Sequence, residues 1–434
     1  MIVVGFIGQT VTDSLLADLS QRNLGGVILS GANGNLKSRS QIQQLTSQLR
    51  SVAQTPPLIA VDQEGGVVAR LNASNGFAAT VSAFTLGTTY ASLDSTRKQA
   101  ALMASWASSS GMNIDFAPVV DVNVNPSSPA IGHYGRSFSA DPYTVAAHAQ
   151  TFVDEFHAAH LMTSLKHFPG HGSATTDSHL TLPDITSTWS SMELIPYREL
   201  LKSKSIDVVM VGHLFNALID SVYPTSLSRL TVQGLLRDSL HFSGVVITDD
   251  MYNMAAITKN YGFWDAAERS INAGVDVLLY VSNTLNNASL TRLLIDTLES
   301  KVQRGLISEA RVNEASVRIA QLKNRYLVTG IQRPNLAAST PPVRYELTNY
   351  PNPFNPSTNI HFEVPFRSHI RVNIYNNLGQ RVAEILSEEK EAGKYERIWN
   401  ARVPSGVYYC RLEATSADRT GVTYTEIRKM ILLR

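Results

Sequence analysis

The sequence predicts an α/β fold, a (β/α)8 TIM-type barrel followed by a small all-β sandwich. Three observations predict it. Short β-branched runs alternate with longer helical stretches over the first 330 residues, and that alternation implies βαβ units and a parallel sheet. The runs number eight, the strand count of a closed barrel and more than most open doubly wound sheets use. Beyond about residue 350 the texture changes to period-2 alternation cut by turn residues, the pattern of antiparallel strands.

The eight apolar runs are Ile2–Ile7, Gly26–Leu29, Leu58–Asp62, Ile114–Val122, Thr163–Phe168, Val208–Gly212, Val245–Thr248 and Val275–Tyr280. Helical stretches include Ser95–Ser109, Pro142–His160, Trp264–Ala273 and Glu309–Tyr326. No GxGxxG opens a helix after a strand, which argues against a dinucleotide-binding sheet. The Pro-, Asn- and Ser-rich stretch Gln332–Tyr350 reads as a linker. Six short β runs follow it, from Asn359–Val364 to Thr425–Leu432, separated by NNLG, EAG and PSG. The expected domains are therefore a barrel over 1–330, a linker over 331–349 and a sandwich over 350–434.

Composition bounds the function. The 434 residues carry 37 basic and 36 acidic side chains, a net charge of +1. Such balance gives no general attraction to nucleic acid or an anionic membrane, so affinity has to come from specific sites. No run of 18 apolar residues exists to span a membrane. The single cysteine, Cys410, excludes an internal disulfide framework and a cysteine-rich zinc site. It fits a cytoplasmic protein and a large exported one equally. The start, MIVVGFIGQTVTDSLL, reads as a core strand and lacks the basic segment of a secretory signal. A truncated start is the expectation.

Polar residues gather at one end of the predicted strands. The third ends in Asp62-Gln63-Glu64, the fourth in Asp121, the fifth in Lys166-His167, the sixth in His213 and the seventh in Asp249-Asp250. Barrel enzymes keep their chemistry at the C-terminal ends of the strands, so these residues point to one shared polar site. The stretch Lys166–Pro183, KHFPGHGSATTDSHLTLP, is the most informative. Its Pro and Gly residues force a loop, and within it Asp177 stands two residues before His179. A carboxylate so placed can accept a hydrogen bond from one imidazole nitrogen and leave the other for a substrate. A solvated polar loop is the plainer reading, and a metal site built from His167, His171, His179 and Asp177 is a further one. Asp249, at the mouth of a buried strand, suits a nucleophile or base. Its neighbour Asp250 points elsewhere by strand alternation and suits a cap for the segment after it. Glu64 shares the phase of Asp62 and could be a structural carboxylate paired with Arg70. His213 reads either as part of the site or as a packed histidine at the barrel mouth. Trp264 and nearby tyrosines could form an aromatic platform, though such residues more often pack in the core.

These motifs resemble those of glycoside hydrolase family 3. KHFPGHG followed by DSH, with VDQEGGVVARL and NIDFAPVVDV upstream and VVITDDM and RVNEASVRIAQLK downstream, is similar to the β-N-acetylglucosaminidase branch. The resemblance implies Asp249 as catalytic nucleophile, His179 as general acid/base and Asp177 as its orienting partner, the dyad riding on a mobile loop. It implies that Asp62, Arg70, Arg136, Lys166 and His167 hold the sugar, and His213 is grouped with them as a substrate-binding candidate. It also implies a retaining exo-β-N-acetylglucosaminidase, a β-N-acetylhexosaminidase, acting on terminal β-linked GlcNAc of muropeptides or chitin-type oligosaccharides. No cofactor and no metal are implied. A β-N-acetylglucosaminide phosphorylase on the same scaffold and a non-catalytic surface glycan-binding protein are the alternatives. The C-terminal region, NYPNPFNPSTNIHFEVP to KMILLR, resembles the type A sorting domain of the type IX secretion system. That resemblance implies the secretion machinery as a partner and an extracellular or cell-surface location, with periplasm or cytoplasm as alternatives.

Overall fold

The structure is a computed structural model, and it describes residues 1–327, 345–416 and 423–433. The chain divides into two compact units. In the first, eight parallel strands close into a barrel. They are β1 (Ile2–Val4), β2 (Gly26–Ile28), β3 (Leu58–Val61), β4 (Ile114–Asp115), β5 (Met162–Phe168), β6 (Val208–Val211), β7 (Val245–Asp250) and β8 (Val277–Tyr280). Each pairs with its neighbours in sequence, and β1 pairs with β8 to close the ring. All eight expected strands form. One is much shorter than its apolar run: β4 stops at Asp115, and past Pro118, which has no N–H to give, pairing with β5 returns only as an isolated bridge between Val119 and Lys166.

Strand alternation sorts the apolar side chains into two cores. Val3, Ile28, Ala60, Ile114, Met162, Val208, Met210, Val245, Ile247, Val277 and Leu279 point into the barrel. Their alternates, among them Val4, Val27, Val61, Val209, Val246 and Leu278, face the helical ring. This is period-2 alternation with both faces buried. The helices between strands obey ordinary capping rules. Thr12, Ser38, Ser92, Asp141 and Ser289 each accept a hydrogen bond from a first-turn N–H of the helix that follows. Glu309–Tyr326 lays Ala315, Ile319 and Leu322 against the inward-facing core. Arg311 and Arg318 on that helix bind the buried carboxylate of Asp276, just before β8. These ion pairs secure the N-terminal end of the barrel, opposite the end where chemistry belongs.

The second unit has seven strands among the described residues: β9 (Glu346–Tyr350), β10 (Ser357–Val364), β11 (Ser368–Asn376), β12 (Arg381–Lys390), β13 (Gly393–Asn400), β14 (Gly406–Ser416) and β15 (Thr423–Leu432). They form antiparallel sheets ordered β9-β10-β13 and β12-β11-β14-β15. Leu347, Ile360, Phe362, Val372, Ile374, Leu412 and Leu432 build their common core. The strand β9 starts within the stretch expected to be linker. Leu347 is fully buried there, an apolar signal too short to stand out in a Pro- and Asn-rich context. The rest of the expected linker, up to residue 344, lies outside the described residues.

Candidate active site

Above the C-terminal ends of the strands lies a cavity of about 300 Å³, lined from β2, β5, β6, β7 and β8 and from the loops after β2, β3, β4, β5, β7 and β8. Strand phase explains much of its lining. Asp62 continues the inward series of Leu58 and Ala60, and Asp249 that of Val245 and Ile247. On β5 the pairing with β6 is irregular between Leu165 and Phe168. Strict alternation fails there, and both Lys166 and His167 face the cavity.

Four charged groups lock together on one wall. Lys166 Nζ donates to Asp62 Oδ1 at 2.8 Å and lies 2.7 Å from Glu64 Oε1. Arg136 donates to both oxygens of Glu64, Nε at 2.8 Å and Nη2 at 2.7 Å, and its Nη1 donates to the Ala130 carbonyl. The expected partner of Glu64 was Arg70; the structure pairs it with Arg136 and Lys166 instead. Arg136 arrives from the distant loop after β4, which strand phase alone does not reveal. Burial opposes ionisation of Glu64, but the two cations outweigh it and hold the carboxyl well below its ordinary value. Burial likewise works against the Lys166 ammonium, and Asp62 and Glu64 overcome it and push its pKa up. The guanidinium of Arg70 also lines the cavity, with no side-chain partner among the described residues.

His167 is fixed by Asp121. Its Nδ1 lies 2.7 Å from Asp121 Oδ2 and its backbone N–H donates to Oδ1. Its Nε2 lies 3.4 Å from Arg136 Nη2. A guanidinium only donates, so this contact is a hydrogen bond only when Nε2 is unprotonated and the ring's proton sits on Nδ1, toward Asp121. Asp121, at the end of the fourth apolar run, was legible in sequence as a polar strand end without a role.

Asp249 is partly buried and lines the cavity. Its Oδ1 accepts from the Asp250 N–H at 2.8 Å. Burial again opposes ionisation, and His167, His213, the Asp250 N–H and Lys166 together keep the carboxyl below its ordinary value. Asp250 has the structural task expected of it. Its carboxylate accepts from the N–H groups of Tyr252, Asn253 and Val281. It caps a turn rather than a helix, since the next helix starts only at Ala255.

The dyad forms as expected. Asp177 Oδ1 lies 2.8 Å from His179 Nδ1 and also accepts the His179 N–H at 2.9 Å. Burial disfavours the Asp177 anion, but these contacts hold its carboxyl below the usual range. The His179 side chain is 61% exposed, so its other ring nitrogen is open at the cavity rim. Among the described residues no group of three or more His, Cys, Asp or Glu side chains is arranged to hold a metal ion.

His213 does not reach the cavity. It follows Val209 and Val211 in the outward phase of β6 and is fully buried. Nδ1 lies 2.7 Å from Ser226 Oγ and Nε2 lies 3.1 Å from the Asp250 carbonyl. A carbonyl only accepts, so Nε2 carries the proton and Nδ1 accepts from Ser226. His213 braces the Asp249–Asp250 turn from behind and is not a sugar contact. Trp264 packs against the outer core, as does Tyr261.

Two buried groups at this site had no catalytic or sugar-binding role in the sequence reading, where His171 entered only the metal alternative and Glu193 not at all. His171 lines the cavity, and Glu193 supports the loop below it, accepting the Gly172 N–H at 3.0 Å.

The profile of the glycosyl hydrolase family 3 N terminal domain matches residues 2–322 of this chain. The chain belongs to glycosyl hydrolase family 3. A family 3 β-N-acetylglucosaminidase of known structure from Paenibacillus sp. str. FPU-7 is 32% identical, with a TM-score of 0.70 over 78% of this chain and 63% of that one. The beta-N-acetylhexosaminidase from Beutenbergia cavernae is 27% identical, with a TM-score of 0.67 over 74% of this chain and 96% of that one. Beta-hexosaminidase A of Pseudoalteromonas piscicida is 32% identical over 73% of this chain, which spans 56% of that protein's length. Beta-hexosaminidase of Tolumonas auensis is 36% identical over 61% of this chain and 78% of its own length. A second profile, the secretion system C-terminal sorting domain, matches residues 348–422. This family 3 chain thus joins a glycoside hydrolase barrel to a sorting module. Among the described residues no helix is long and apolar enough to cross a membrane.

Proposed function

We propose that the protein is a retaining exo-β-N-acetylglucosaminidase that releases terminal β-linked GlcNAc from cell-wall fragments or chitin-type oligosaccharides. One observation carries this reading: an aspartate held ionised by its neighbours, and an imidazole backed by a carboxylate, open onto the same cavity. The names borne by the relatives support it.

Retaining hydrolysis needs a carboxylate to attack the anomeric carbon and a second group to protonate the departing oxygen and later deprotonate water. Asp249 fills the first role. Its anion is maintained without a directly bonded cation, so the oxygens stay available to attack. His179 fills the second, with its Nδ1–H toward Asp177 and Nε2 toward the glycosidic oxygen. Exposure of that imidazole leaves room for an aglycone. Asp62, Lys166 and Arg136 offer a fixed array of acceptors and donors for ring hydroxyls, Arg70 offers an unpaired guanidinium, and His167 lines the cavity beside them. Preorganisation of this kind removes the cost of orienting polar groups as charge develops.

For the C-terminal module we propose recognition by a type IX secretion machinery and delivery to the cell surface. The sorting-domain match supports this.

The activity test is a 4-nitrophenyl β-GlcNAc assay with and without inorganic phosphate. Release of GlcNAc at a rate independent of phosphate fits hydrolysis. Formation of GlcNAc-1-phosphate would replace it with phosphorolysis, and binding without turnover would remove the catalytic reading altogether.

A further inference from the structure

Two arginines line the cavity. Arg136 is bound to Glu64, and Arg70 has no side-chain partner among the described residues. The backbone that carries Arg70 is nonetheless pinned on both sides. It follows a short antiparallel hairpin, Gln63–Gly65 against Val68–Ala69. Gln63 is fully buried, and its side-chain amide bonds Leu71 twice. Oε1 accepts the Leu71 N–H at 2.8 Å, and Nε2 donates to the Leu71 carbonyl at 3.1 Å. Asn75 Nδ2 donates to the Arg70 carbonyl at 2.7 Å, and Asn72 Nδ2 to the Ala69 carbonyl at 2.7 Å. Gln63 is itself held, because its N–H donates to Asp115 Oδ1 at 2.8 Å. Leu71 is fully buried in the outer core.

Gln63 stands between Asp62 and Glu64, which both line the cavity, and does not line it itself. Its backbone closes the hairpin opposite Ala69, and its side chain carries the pairing two residues further, to Leu71. A buried N–H and C=O left without partners are costly, so the amide fixes the Leu71 backbone firmly. This matters for the residue before it. A long, unpaired arginine side chain gives up rotamer freedom when it meets a ligand. Fixing the backbone on both sides of Arg70 sets the direction in which that side chain leaves it, and a polar group so supported needs less ordering on binding.

We propose that Gln63 is a positioning residue for Arg70: by locking Leu71 it aims the guanidinium into the cavity, where that group meets the sugar. The inference rests on the glycosidase reading above, in which Arg70 is a sugar-binding group. A brace that serves the stability of the hairpin alone is the competing account, and the two differ in what happens when Arg70 is absent.

The experiment is a double-mutant cycle on the full chain: wild type, Gln63→Met, Arg70→Ala and the two together. Methionine keeps the length of the side chain and removes both polar atoms. Each protein is measured for kcat/KM on 4-nitrophenyl β-GlcNAc and for GlcNAc affinity by calorimetry, with Tm alongside. Gln63→Met is expected to lose about tenfold in kcat/KM and in affinity when Arg70 is present, and less than about twofold when it is absent. That non-additivity marks two residues acting as a unit. The fall in Tm should be the same in both backgrounds. Gln63→Glu should recover most of the loss, since a buried carboxyl takes up a proton and then again accepts from and donates to Leu71. If Gln63→Met does not fold, Asn75→Asp is the second variant. It keeps the acceptor for the Asn72 N–H, drops the donor to the Arg70 carbonyl, and should show the same dependence on Arg70. Equal losses in both backgrounds, no loss in either, or a Gln63→Glu variant as impaired as Gln63→Met overturns the proposal and leaves the glycosidase reading intact. If wild type binds GlcNAc without cleaving the glycoside, the proposed function falls and the coupling in affinity still decides the role of Gln63. A wild type that neither cleaves nor binds removes both.

Discussion

Asp249 and His179 stand in different environments, and the difference fits the tasks proposed for them. The aspartate is kept anionic among histidines and Lys166; the imidazole is exposed and tied to Asp177 at one nitrogen. Replacing Asp249 with Asn should lower turnover of aryl GlcNAc by about 10³-fold or more, since the bond-forming group is lost. His179→Ala should cost about 10²–10⁴-fold on substrates with poor leaving groups and far less on a dinitrophenyl glycoside, whose departure needs no proton. A leaving-group series measured on both variants separates these roles, and equal sensitivity of the two would contradict them. Glu64 makes a third case. Removing it as Ala leaves Arg136 and Lys166 buried without their common partner, a loss of about 3–5 kcal/mol in stability that urea unfolding would measure. These residues were unequally legible. Asp249 and the Asp177–His179 pair could be read from strand ends and spacing because those interactions are local. The partner of Glu64 could not, since Arg136 is 72 residues away in the chain. His213 was readable in principle. Counting outward from Val209 and Val211 places it behind the barrel wall.

The element that carries the dyad, the loop after β5, is held from beneath. Glu193 accepts the Gly172 N–H, and a Cβ at Gly172 would collide with the Val122 carbonyl oxygen. Gly172→Ala should therefore displace the loop and depress activity more than stability, as a comparison of kcat/KM with Tm would show. Glu193 also gives the loop a pH dependence. Burial is the main cause that lifts its pKa from 4.5 to about 8. Between those values the unfolded chain has released a proton that the folded chain retains. The group's contribution to stability is thus full below pH 4.5, falls as pH rises, and is gone above about 8. Glu193→Gln cannot ionise, so its Tm advantage over wild type should grow from pH 4.5 to pH 8.5. A constant difference would show that the carboxyl is ionised in the fold. At this scale the strands and most helices were visible as periodicity. The run Ile114–Val122 misled because its apolar content is continuous, whereas beyond Asp115 the pairing is broken and returns only as an isolated bridge between Val119 and Lys166. The loop's support was invisible because a lone glutamate in Ser191–Leu194 carries no pattern.

Over the whole molecule, each unit has its own hydrophobic core, and the described residues that line the candidate cavity belong to the barrel unit. A chain ending at residue 327 should keep kcat/KM within about twofold of the full protein, the margin expected when domains fold independently. A large loss would mean that the sorting module contributes to the site. The two-part architecture was the most legible feature of all, because the switch from helical to period-2 texture spans many residues, whereas β9 was lost in a short polar stretch. The central claim, that Asp249 bonds to the sugar during turnover, is tested most directly by trapping with an activated fluorinated GlcNAc glycoside and mapping the labelled peptide. The account predicts a single glycosyl adduct on Asp249, in the peptide containing ITDDM. An adduct on any other residue, or rapid turnover of the unfluorinated glycoside with no adduct ever trapped, would contradict it.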